Sequence, residues 1–172
     1  MEGSKKVGLS VVIIAYNEEA NIERALASVA WADEIVVVDS GSTDRTVEIC
    51  RRHGARVIER PWEGFIAQKN FALAQAENEW VLSIDADEEV SPRLAESIKS
   101  VLAGDGRFDG YMVKRRVFYL GRWINHCGWY PDWRVRLVRK SKARWVGDQV
   151  HETLEVDGAV GRIADGDLNH YS

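Results

Sequence analysis

The stretch Trp80-Val81-Leu82-Ser83-Ile84-Asp85-Ala86-Asp87-Glu88-Glu89 runs from an apolar segment directly into an acidic one. The apolar part is continuous, which is typical of a strand buried on both faces of a parallel sheet. Ligands of parallel α/β sheets bind at the carboxyl ends of the strands. The stretch therefore predicts a buried strand that delivers carboxylates to a ligand site.

Three further β-branched runs precede this stretch, at residues 9–15, 34–38 and 55–58, and each run starts 21 to 25 residues before the next. That interval accommodates a strand, a crossover helix and two short loops. Apolar residues recur at helical spacing between the runs, as at Ile22, Ala25, Leu26 and Val29. The first part of the chain therefore predicts a βαβαβαβ unit with a parallel sheet.

The pattern changes in the second part of the chain. Ser91-Pro92 combines a capping residue with a first-turn proline and predicts a helix that ends near Gly104. After Gly110 the apolar segments become short and alternating, which indicates mixed or antiparallel sheet, at residues 111–113, 117–119, 135–138 and 150–154. We predict one α/β domain over residues 1–172, with a parallel half at about 7–110 and a smaller mixed half at about 111–172.

The composition is that of a globular protein, with 172 residues, 45% hydrophobic, 29% charged and 3 prolines. No apolar run approaches the ~20 residues of a membrane helix, and residues 1–6 do not resemble a signal peptide. Cys50 and Cys127 lack a C-x-x-C partner, which excludes a zinc ribbon and disfavours a disulfide framework. We therefore expect a cytoplasmic protein.

The charge is distributed unevenly along the chain. Residues 114–144 carry 10 Lys and Arg against 1 acidic residue, although the net charge of the whole chain is −4. Such a basic stretch indicates an anionic partner, such as a phosphorylated sugar or a lipid headgroup. The alternative is that its arginines only cover the solvent face of strands.

The polar residues that follow the predicted strands are candidates for ligand binding, because the sequence lacks both G-x-G-x-x-G and the P-loop pattern. Asp85 and Asp87 would offer two carboxylates to one divalent cation that bridges a diphosphate; the alternative is a solvated acidic turn. Asp39 follows the second strand and is a candidate for hydrogen bonds to a nucleoside. For Ser42 and Thr43 helix capping is favoured. Lys69 and Asn70 either face a nucleotide or belong to an exposed helix face.

Four motifs together resemble family 2 glycosyltransferases, which bind nucleotide-sugars with the GT-A fold. They are Ala-Tyr-Asn-Glu-Glu at 15–19, Val-Val-Asp-Ser-Gly-Ser-Thr-Asp-Arg-Thr at 37–46, Gln-Lys-Asn at 68–70 and Asp-Ala-Asp-Glu-Glu at 85–89. Within that family, residues 128–137 and 150–152 resemble bacterial lipopolysaccharide core glucosyltransferases. Those relatives commonly continue through a helical C-terminal extension that residues 1–172 do not include.

The resemblance implies a UDP-sugar donor and a divalent metal, Mg or Mn, as cofactor. The first half then binds the nucleotide and the second half the acceptor. The resemblance assigns Asp85, Asp87 and His170 to the metal, although His170 is the third-last residue of the sequence, where fraying competes with ligation. The implied nucleotide-sugar contacts are Ala15, Tyr16, Asn17, Glu18, Asp39, Ser42, Lys69, Asn70, Asp85, Ala86 and Asp87.

The implied reaction is an inverting transfer to a hydroxyl of an anionic glycan or glycolipid at the inner membrane surface, with glucose as the expected sugar. Glu152 is our first candidate for the catalytic base and Asp132 the second. Trp129, Tyr130, Arg134 and Arg136 are candidates for acceptor contacts, with buried packing as the alternative for the aromatic rings. A non-catalytic nucleotide-sugar or carbohydrate-binding module is the alternative function. A nucleic-acid binder is disfavoured by the pI of 5.6.

Overall fold

The computed structural model describes residues 7–125, 128–148 and 150–172. Cys127, about which the sequence makes a prediction, lies outside these ranges, as do residues 1–6. Burial, together with the nearby Asp39 carboxylate, raises the pKa of the Cys50 thiol to about 12. Cys50 is therefore an unpaired, protonated core residue.

The first half of the chain has the predicted alternation of strands and helices. Its elements are β1 (Leu9–Ala15), α1 (Ile22–Ser28), β2 (Glu34–Asp39), α2 (Thr46–Arg52), β3 (Arg56–Glu59), α3 (Phe65–Gln75) and β4 (Trp80–Ser83). The four strands are parallel and lie in the order β3-β2-β1-β4. Since Ala15 pairs with Asp39, the carboxyl ends of β1 and β2 lie at the same edge of the sheet.

The chain after β4 extends the same sheet with antiparallel and mixed pairing. Its elements are β5 (Glu88–Val90), α4 (Pro92–Leu102), β6 (Gly110–Tyr119), β7 (Arg122–Ile124), β8 (Asp132–Arg139), a 3-10 turn (Lys140–Lys142), β9 (Ala143–Gly147), β10 (Glu152–Val156), β11 (Val160–Arg162) and β12 (Leu168–Tyr171). The sheet continues from β4 in the order β8-β6-β12-β5, while β9 and β10 form a separate hairpin. The predicted α/β architecture is confirmed, with a mostly parallel part and a smaller mixed part.

Two details differ from the sequence prediction. The two short strands expected at 111–113 and 117–119 are one ten-residue strand, β6, because β8, β11, β12 and β7 pair with it along its length. The acidic segment after β4 turns into a strand, β5, which pairs with β12 near the end of the chain. The helix predicted at Ser91 is present, and the Ser91 hydroxyl accepts from the Leu94 amide at 3.1 Å.

Hydrophobic packing on both faces of the sheet holds the acidic segment in place. One cluster joins α1, α2 and α4 to one face, and the second joins α3 and the β9–β10 hairpin to the other. The central strands carry fully buried residues such as Val11, Val36 and Val81.

In the part of the chain that the structure describes, no helix combines the length and apolar character that crossing a bilayer requires.

Candidate functional site

A cavity of about 650 Å³ opens at the edge of the sheet where β1 and β4 end. Three residues of the first motif line it, namely Ala15, Tyr16 and Glu18, and so do all three of the D-x-D segment, Asp85, Ala86 and Asp87. Lys69 of α3 and Glu152 of β10 complete its charged wall. The structure thus brings together residues that the sequence analysis selected from four separate parts of the chain.

Lys69 lies at the centre of the charged wall. Its side chain is 6% exposed, and Nζ lies 3.1 Å from Oε1 of Glu152 and 3.3 Å from Oδ1 of Asp85. The centroid of the Trp145 ring is 4.3 Å from Nζ. One buried ammonium therefore joins the candidate base to the first aspartate of the D-x-D pair.

Asp85 is held in its ionised form. Burial by itself raises the pKa of Asp85, but the charges of Arg136 and Lys69 outweigh it and lower the pKa below its usual 3.8. Arg136 Nη2 lies 4.0 Å from Oδ2 of Asp85. A carboxylate that stays ionised in a cavity is suited to bind a cation.

Glu18 shows that the cavity carries an excess of negative charge. Burial raises the pKa of Glu18, a hydrogen bond from Asn21 opposes that shift, and the charges of Asp87, Asp44 and Asp85 raise the pKa further. A diphosphate would meet the same repulsion from Asp85 and Asp87. The electrostatics therefore fit an anionic ligand that arrives with a cation.

His170 connects Asp87 to the second half of the chain. Its Nε2 lies 3.0 Å from Oδ2 of Asp87, and its Nδ1 lies 3.0 Å from Nη2 of Arg115. A guanidinium only donates hydrogen bonds, so Nδ1 accepts and Nε2 carries the proton that Asp87 accepts. The resemblance implies that His170 ligates the metal; ligation through Nε2 would require the ring proton to move to Nδ1, which would release Arg115.

The residues fit a divalent cation that shares its coordination with a bound diphosphate. The side chains of Asp85 and Asp87 keep 33% and 30% of their surface exposed and supply the oxygen ligands that hard cations prefer. Within the ranges that the structure describes, no three or more His, Cys, Asp and Glu side chains are arranged to hold an ion. Phosphate oxygens and water would therefore complete the coordination.

Glu88 is an important residue that the sequence analysis missed. Its side chain is 0% exposed, and Oε2 lies 3.0 Å from Nε of Arg115 and 3.5 Å from Nη2 of Arg136. Oε1 accepts from the backbone amide of Asp85 at 2.7 Å. The sequence does contain a signal for these ion pairs, which is the opposite charge of two segments. The acidic residues after β4 complement the basic stretch at 114–144.

The ion pairs of Glu88 change the interpretation of the basic stretch. Arg136, predicted to contact an acceptor, is 7% exposed and pairs with Glu88 and Asp85, whereas Arg134 is exposed and pairs with Asp132. The two arginines therefore do not present a joint surface. An anionic partner of this stretch lies within the chain itself, a possibility that the sequence analysis did not consider.

The loops after β1 and β2 are held together by the polar residues predicted to bind the nucleoside. Oδ1 of Asn17, a residue with φ of +49°, accepts from the amides of Thr43 at 2.8 Å and Asp44 at 3.3 Å. Asp39 is 1% exposed, and its carboxylate accepts from the Gly41 amide and from the Ser42 amide and hydroxyl. These residues shape the loops, and their contact with a nucleoside stays a prediction.

The capping expected of Ser42 and Thr43 is wrong. Helix α2 begins at Thr46, its N-cap residue Arg45 makes no side-chain capping bond, and the Ser42 hydroxyl accepts from the Asn17 amide instead. Oδ1 of Asp44 accepts from the Thr46 amide at 2.9 Å. The loop is therefore closed by bonds between two loops rather than by a helix cap.

Asn70 lies beside Lys69 on α3 but faces another part of the structure. Its Oδ1 accepts from the Trp145 amide at 2.8 Å, and its Nδ2 donates to the Trp145 carbonyl at 2.9 Å. It is not among the described residues that line the cavity. The structure therefore gives Asn70 the role of joining α3 to β9, and a nucleoside contact would require breaking both bonds.

The remaining predicted residues lie on β8 and the segment before it. Asp132 is the first residue of β8 and pairs with Arg134 at 3.1 Å and with Arg115 at 3.5 Å. It does not contribute to the described cavity wall, unlike Glu152. Of the two candidate bases, Glu152 alone is placed by the structure in the cavity wall with Asp85.

The two aromatic candidates for acceptor contacts lie before β8. Trp129 is 50% exposed, while the Tyr130 hydroxyl donates to Asp167 at 2.7 Å.

Aromatic side chains form a rim of the cavity, of which the sequence analysis selected Tyr16 but neither Trp62 nor Phe65 as a ligand contact. Tyr16, Trp62 and Phe65 are 56%, 47% and 42% exposed and line the cavity, and the rings of Trp62 and Phe65 lie 4.7 Å apart, edge to face. A tryptophan and a phenylalanine three positions apart at the start of helix α3 are the signal that would have found them. Such rings offer faces to a base or a sugar.

Comparisons with known proteins agree with this geometry. Residues 10–153 match the glycosyl transferase family 2 model. The chain is 35% identical, over 96% of its length, to the lipopolysaccharide core biosynthesis glycosyltransferase LpsC of Rhizobium meliloti, and 46% identical, over 95%, to an uncharacterized glycosyltransferase of Rickettsia typhi. It spans 64% and 60% of the lengths of these two relatives.

Solved structures show the same fold. S. aureus TarS 1–349 in complex with UDP-GlcNAc is 28% identical, with a TM-score of 0.56 over 70% of this chain and 37% of that one. The mannosyltransferase PcManGT of Pyrobaculum calidifontis, in complex with GDP-Man and Mn²⁺, is 28% identical, with a TM-score of 0.54 over 66% of this chain and 37% of that one. The GT-A fold that the motifs predict is therefore confirmed, and this chain belongs to glycosyl transferase family 2.

Proposed function

We propose that the protein catalyses an inverting, metal-dependent transfer of a sugar from a UDP-sugar to a hydroxyl of a cell-envelope glycan. The observation that carries this proposal is the contact of Lys69 with both Asp85 and Glu152 in one cavity. It brings a pair of carboxylates suited to a cation next to a third carboxylate suited to accept a proton. A lipopolysaccharide core glycan as the acceptor is proposed from the name of LpsC, and glucose as the sugar and the inner core as the site of transfer are proposed from the resemblance of residues 128–137 and 150–152 to core glucosyltransferases.

The donor half of the proposal concerns residues 7–110. Asp85 and Asp87 would hold the divalent cation, Mg or Mn, which neutralises charge on the departing diphosphate when it is bound. Support comes from TarS, a structural neighbour in complex with UDP-GlcNAc, and from PcManGT, in complex with GDP-Man and Mn²⁺. The rim of Tyr16, Trp62 and Phe65 would pack against the donor.

The acceptor half of the proposal concerns residues 111–172. Glu152 would take the proton of the attacking hydroxyl, because a sugar hydroxyl is a weak nucleophile until a base removes its proton. In the structure its Oε1 is 3.1 Å from the Lys69 ammonium, which fixes the direction of the carboxylate. Arg134 is exposed and would meet an anionic group of the acceptor.

A cytoplasmic location with peripheral contact to the inner membrane surface is part of the proposal. The turn between β6 and β7 exposes Tyr119 at 42% and Leu120 at 81%, and Trp129 lies beside it with its ring 6.2 Å from that of Tyr119. Arg122 is exposed in this turn. Aromatic and basic side chains around an exposed leucine suit an anionic lipid surface.

Donor binding tests the first half of the proposal. Calorimetry with UDP-glucose and GDP-mannose, each with and without Mn²⁺, should show binding that requires both UDP and metal. Release of UDP from UDP-glucose should then rise when a core oligosaccharide acceptor is added. Binding without any transfer would favour the non-catalytic module, and absence of metal-dependent binding would contradict both functions.

Vesicle sedimentation tests the membrane contact. Binding to vesicles with phosphatidylglycerol should weaken when Leu120 and Trp129 are both changed to Ser, and should weaken with salt. The control is Val160→Ser, since Val160 is 37% exposed but pairs with Gly110 at the other end of β6. Equal binding of the double variant and the control would contradict the contact.

A further inference from the structure

The carboxylate of Glu88 closes the turn that carries the two aspartates. Its backbone amide donates to the Asp85 carbonyl at 3.0 Å, and its Oε1 accepts from the Asp85 amide at 2.7 Å. The two bonds run in opposite directions between the same two residues, on either side of Ala86 and Asp87. The backbone of the D-x-D segment is therefore held by one side chain.

Two arginines extend the influence of Glu88 to both aspartate side chains. Arg136 lies between Glu88 and the Asp85 carboxylate, with Nη2 at 3.5 Å from the first and 4.0 Å from the second. Arg115 donates to Glu88 at 3.0 Å through Nε, and its Nη2 contacts His170, whose Nε2 contacts Asp87. Arg136 therefore contacts Asp85 directly, whereas Arg115 is connected to Asp87 through His170. We call this second chain of contacts the Arg115–His170 arm.

This arrangement is more than a source of stability. A buried ion pair is costly to desolvate, and apolar packing of similar volume often stabilises a fold equally well. Glu88 is completely buried, yet it bonds to the backbone of Asp85 in the cavity wall, and its partners Arg136 and Arg115 lead to that wall through Asp85 and through His170 and Asp87. Outer residues of this kind orient the ligands of metal sites, and their loss commonly weakens metal binding.

We propose that Glu88 is a positioning residue that holds Asp85 and Asp87 in the orientation in which they bind a metal-diphosphate. The inference rests on the proposed function of that site, since it assigns a role toward the same ligand. Glu88 itself touches neither the cavity nor the ligand in this role. It acts through the Asp85 backbone, Arg136 and the Arg115–His170 arm.

The main experiment compares Glu88→Gln with Glu89→Gln. Glu89 is the neighbouring carboxylate, and it accepts from Tyr171 at 2.9 Å and Asn169 at 3.2 Å without an observed bond to either aspartate. Calorimetry with UDP and Mn²⁺ should show affinity lower by about 10-fold to 100-fold in Glu88→Gln. Glu89→Gln should bind as the unmodified protein does.

A second variant separates positioning from stability. Glu88→Gln removes one carboxylate partner from each of Arg115 and Arg136, so Glu88→Gln combined with Arg115→Gln reduces the excess of positive charge and is the variant to use if the single change does not fold. Its melting temperature should recover while its affinity for UDP with Mn²⁺ stays low. Affinity that recovers together with the melting temperature, or a Glu88→Gln variant that binds normally, would overturn the proposal.

A measurement without donor or metal tells the two proposals apart. Ring ¹⁵N shifts of His170 in the unmodified protein should show Nε2 protonated and Nδ1 unprotonated, and Glu88→Gln should mix the two tautomers. Unchanged ring shifts in the variant would overturn the role of Glu88 in the Arg115–His170 arm. If the expected shifts are seen but UDP with Mn²⁺ does not bind the unmodified protein, the proposed function fails and the orientation of the aspartates by Glu88 stands.

Discussion

The ammonium of Lys69 lies 3.1 Å from the carboxylate of Glu152, although 83 positions separate the two residues. Helix α3 delivers the lysine and strand β10 the glutamate, and Trp145 of β9 covers the pair. Because the same lysine contacts Asp85, the pair links the two halves of the chain at the cavity.

The assignment of Glu152 as the base predicts a loss of rate without a loss of donor affinity. A group that acts only in the transition state lowers kcat when it is removed. Glu152→Gln should therefore bind UDP-sugar and metal normally and transfer about 10²-fold or more slowly. Steady-state kinetics together with calorimetry measure both quantities.

Two variants serve as controls for that measurement. Glu155 lies on the same strand with its side chain exposed, so Glu155→Gln should keep the full rate. Asp132→Asn should also retain transfer, because Asp132 is paired with Arg134 outside the described cavity wall. Loss of transfer in Asp132→Asn with retention in Glu152→Gln would make Asp132 the base.

Removal of Asp87 should weaken nucleotide binding only where metal takes part. Asp87→Ala deletes a ligand that the diphosphate cannot replace, so affinity for UDP with Mn²⁺ should fall by about tenfold or more, which corresponds to about 1.4 kcal/mol. Calorimetry with and without metal checks this. Unchanged metal-dependent affinity would show that Asp87 is not a ligand.

Asn70 distinguishes a structural role from a nucleoside contact. Asn70→Ala breaks the two hydrogen bonds to the Trp145 backbone and leaves those groups without partners, which should destabilise the fold by about 1–3 kcal/mol in urea unfolding. Affinity for UDP should change little in the folded variant. A large loss of UDP affinity with unchanged stability would instead restore the nucleoside contact implied by the resemblance.

The lowered pKa of Asp85 predicts how stability depends on pH. A carboxyl whose pKa is lower in the folded than in the unfolded state stabilises the fold above its unfolded pKa, and this contribution disappears as the pH falls through the folded pKa. The contribution of Asp85 to stability is therefore lost at pH values below 3.8, the usual pKa of this carboxyl. Lys69→Met removes one of the three cations that lower the pKa of Asp85, the others being Arg136 and Arg115, so stability should decline less between neutral pH and pH 3 in this variant.

Urea unfolding at several pH values measures that difference. Lys99→Met is the control, because Lys99 and its partner Glu96 form an exposed pair 3.0 Å apart, whose effect is screened by solvent. The control should follow the unmodified protein. An identical pH dependence in Lys69→Met would contradict the role of Lys69 at Asp85.

The sequence by itself determined the order of strands and helices in the first half and the position of the acidic segment. Both follow from short-range patterns, since the period of apolar residues distinguishes strand from helix and a buried strand must end in a polar loop. The sequence also indicated Lys69 and Asn70 together, as neighbours in one motif. The sequence contained no local signal that distinguishes the roles of these two residues.

Only the tertiary structure decided that these two neighbours have different roles. Successive residues of a helix point about 100° apart, so Lys69 faces the cavity while Asn70 faces β9, and which face meets which element depends on how α3 packs on the sheet. The same holds for Glu88, whose partners Arg115 and Arg136 lie 27 and 48 positions away. Ion pairs over such distances in the chain form only when β6 and β8 have joined the sheet, and no local pattern in the sequence reports them.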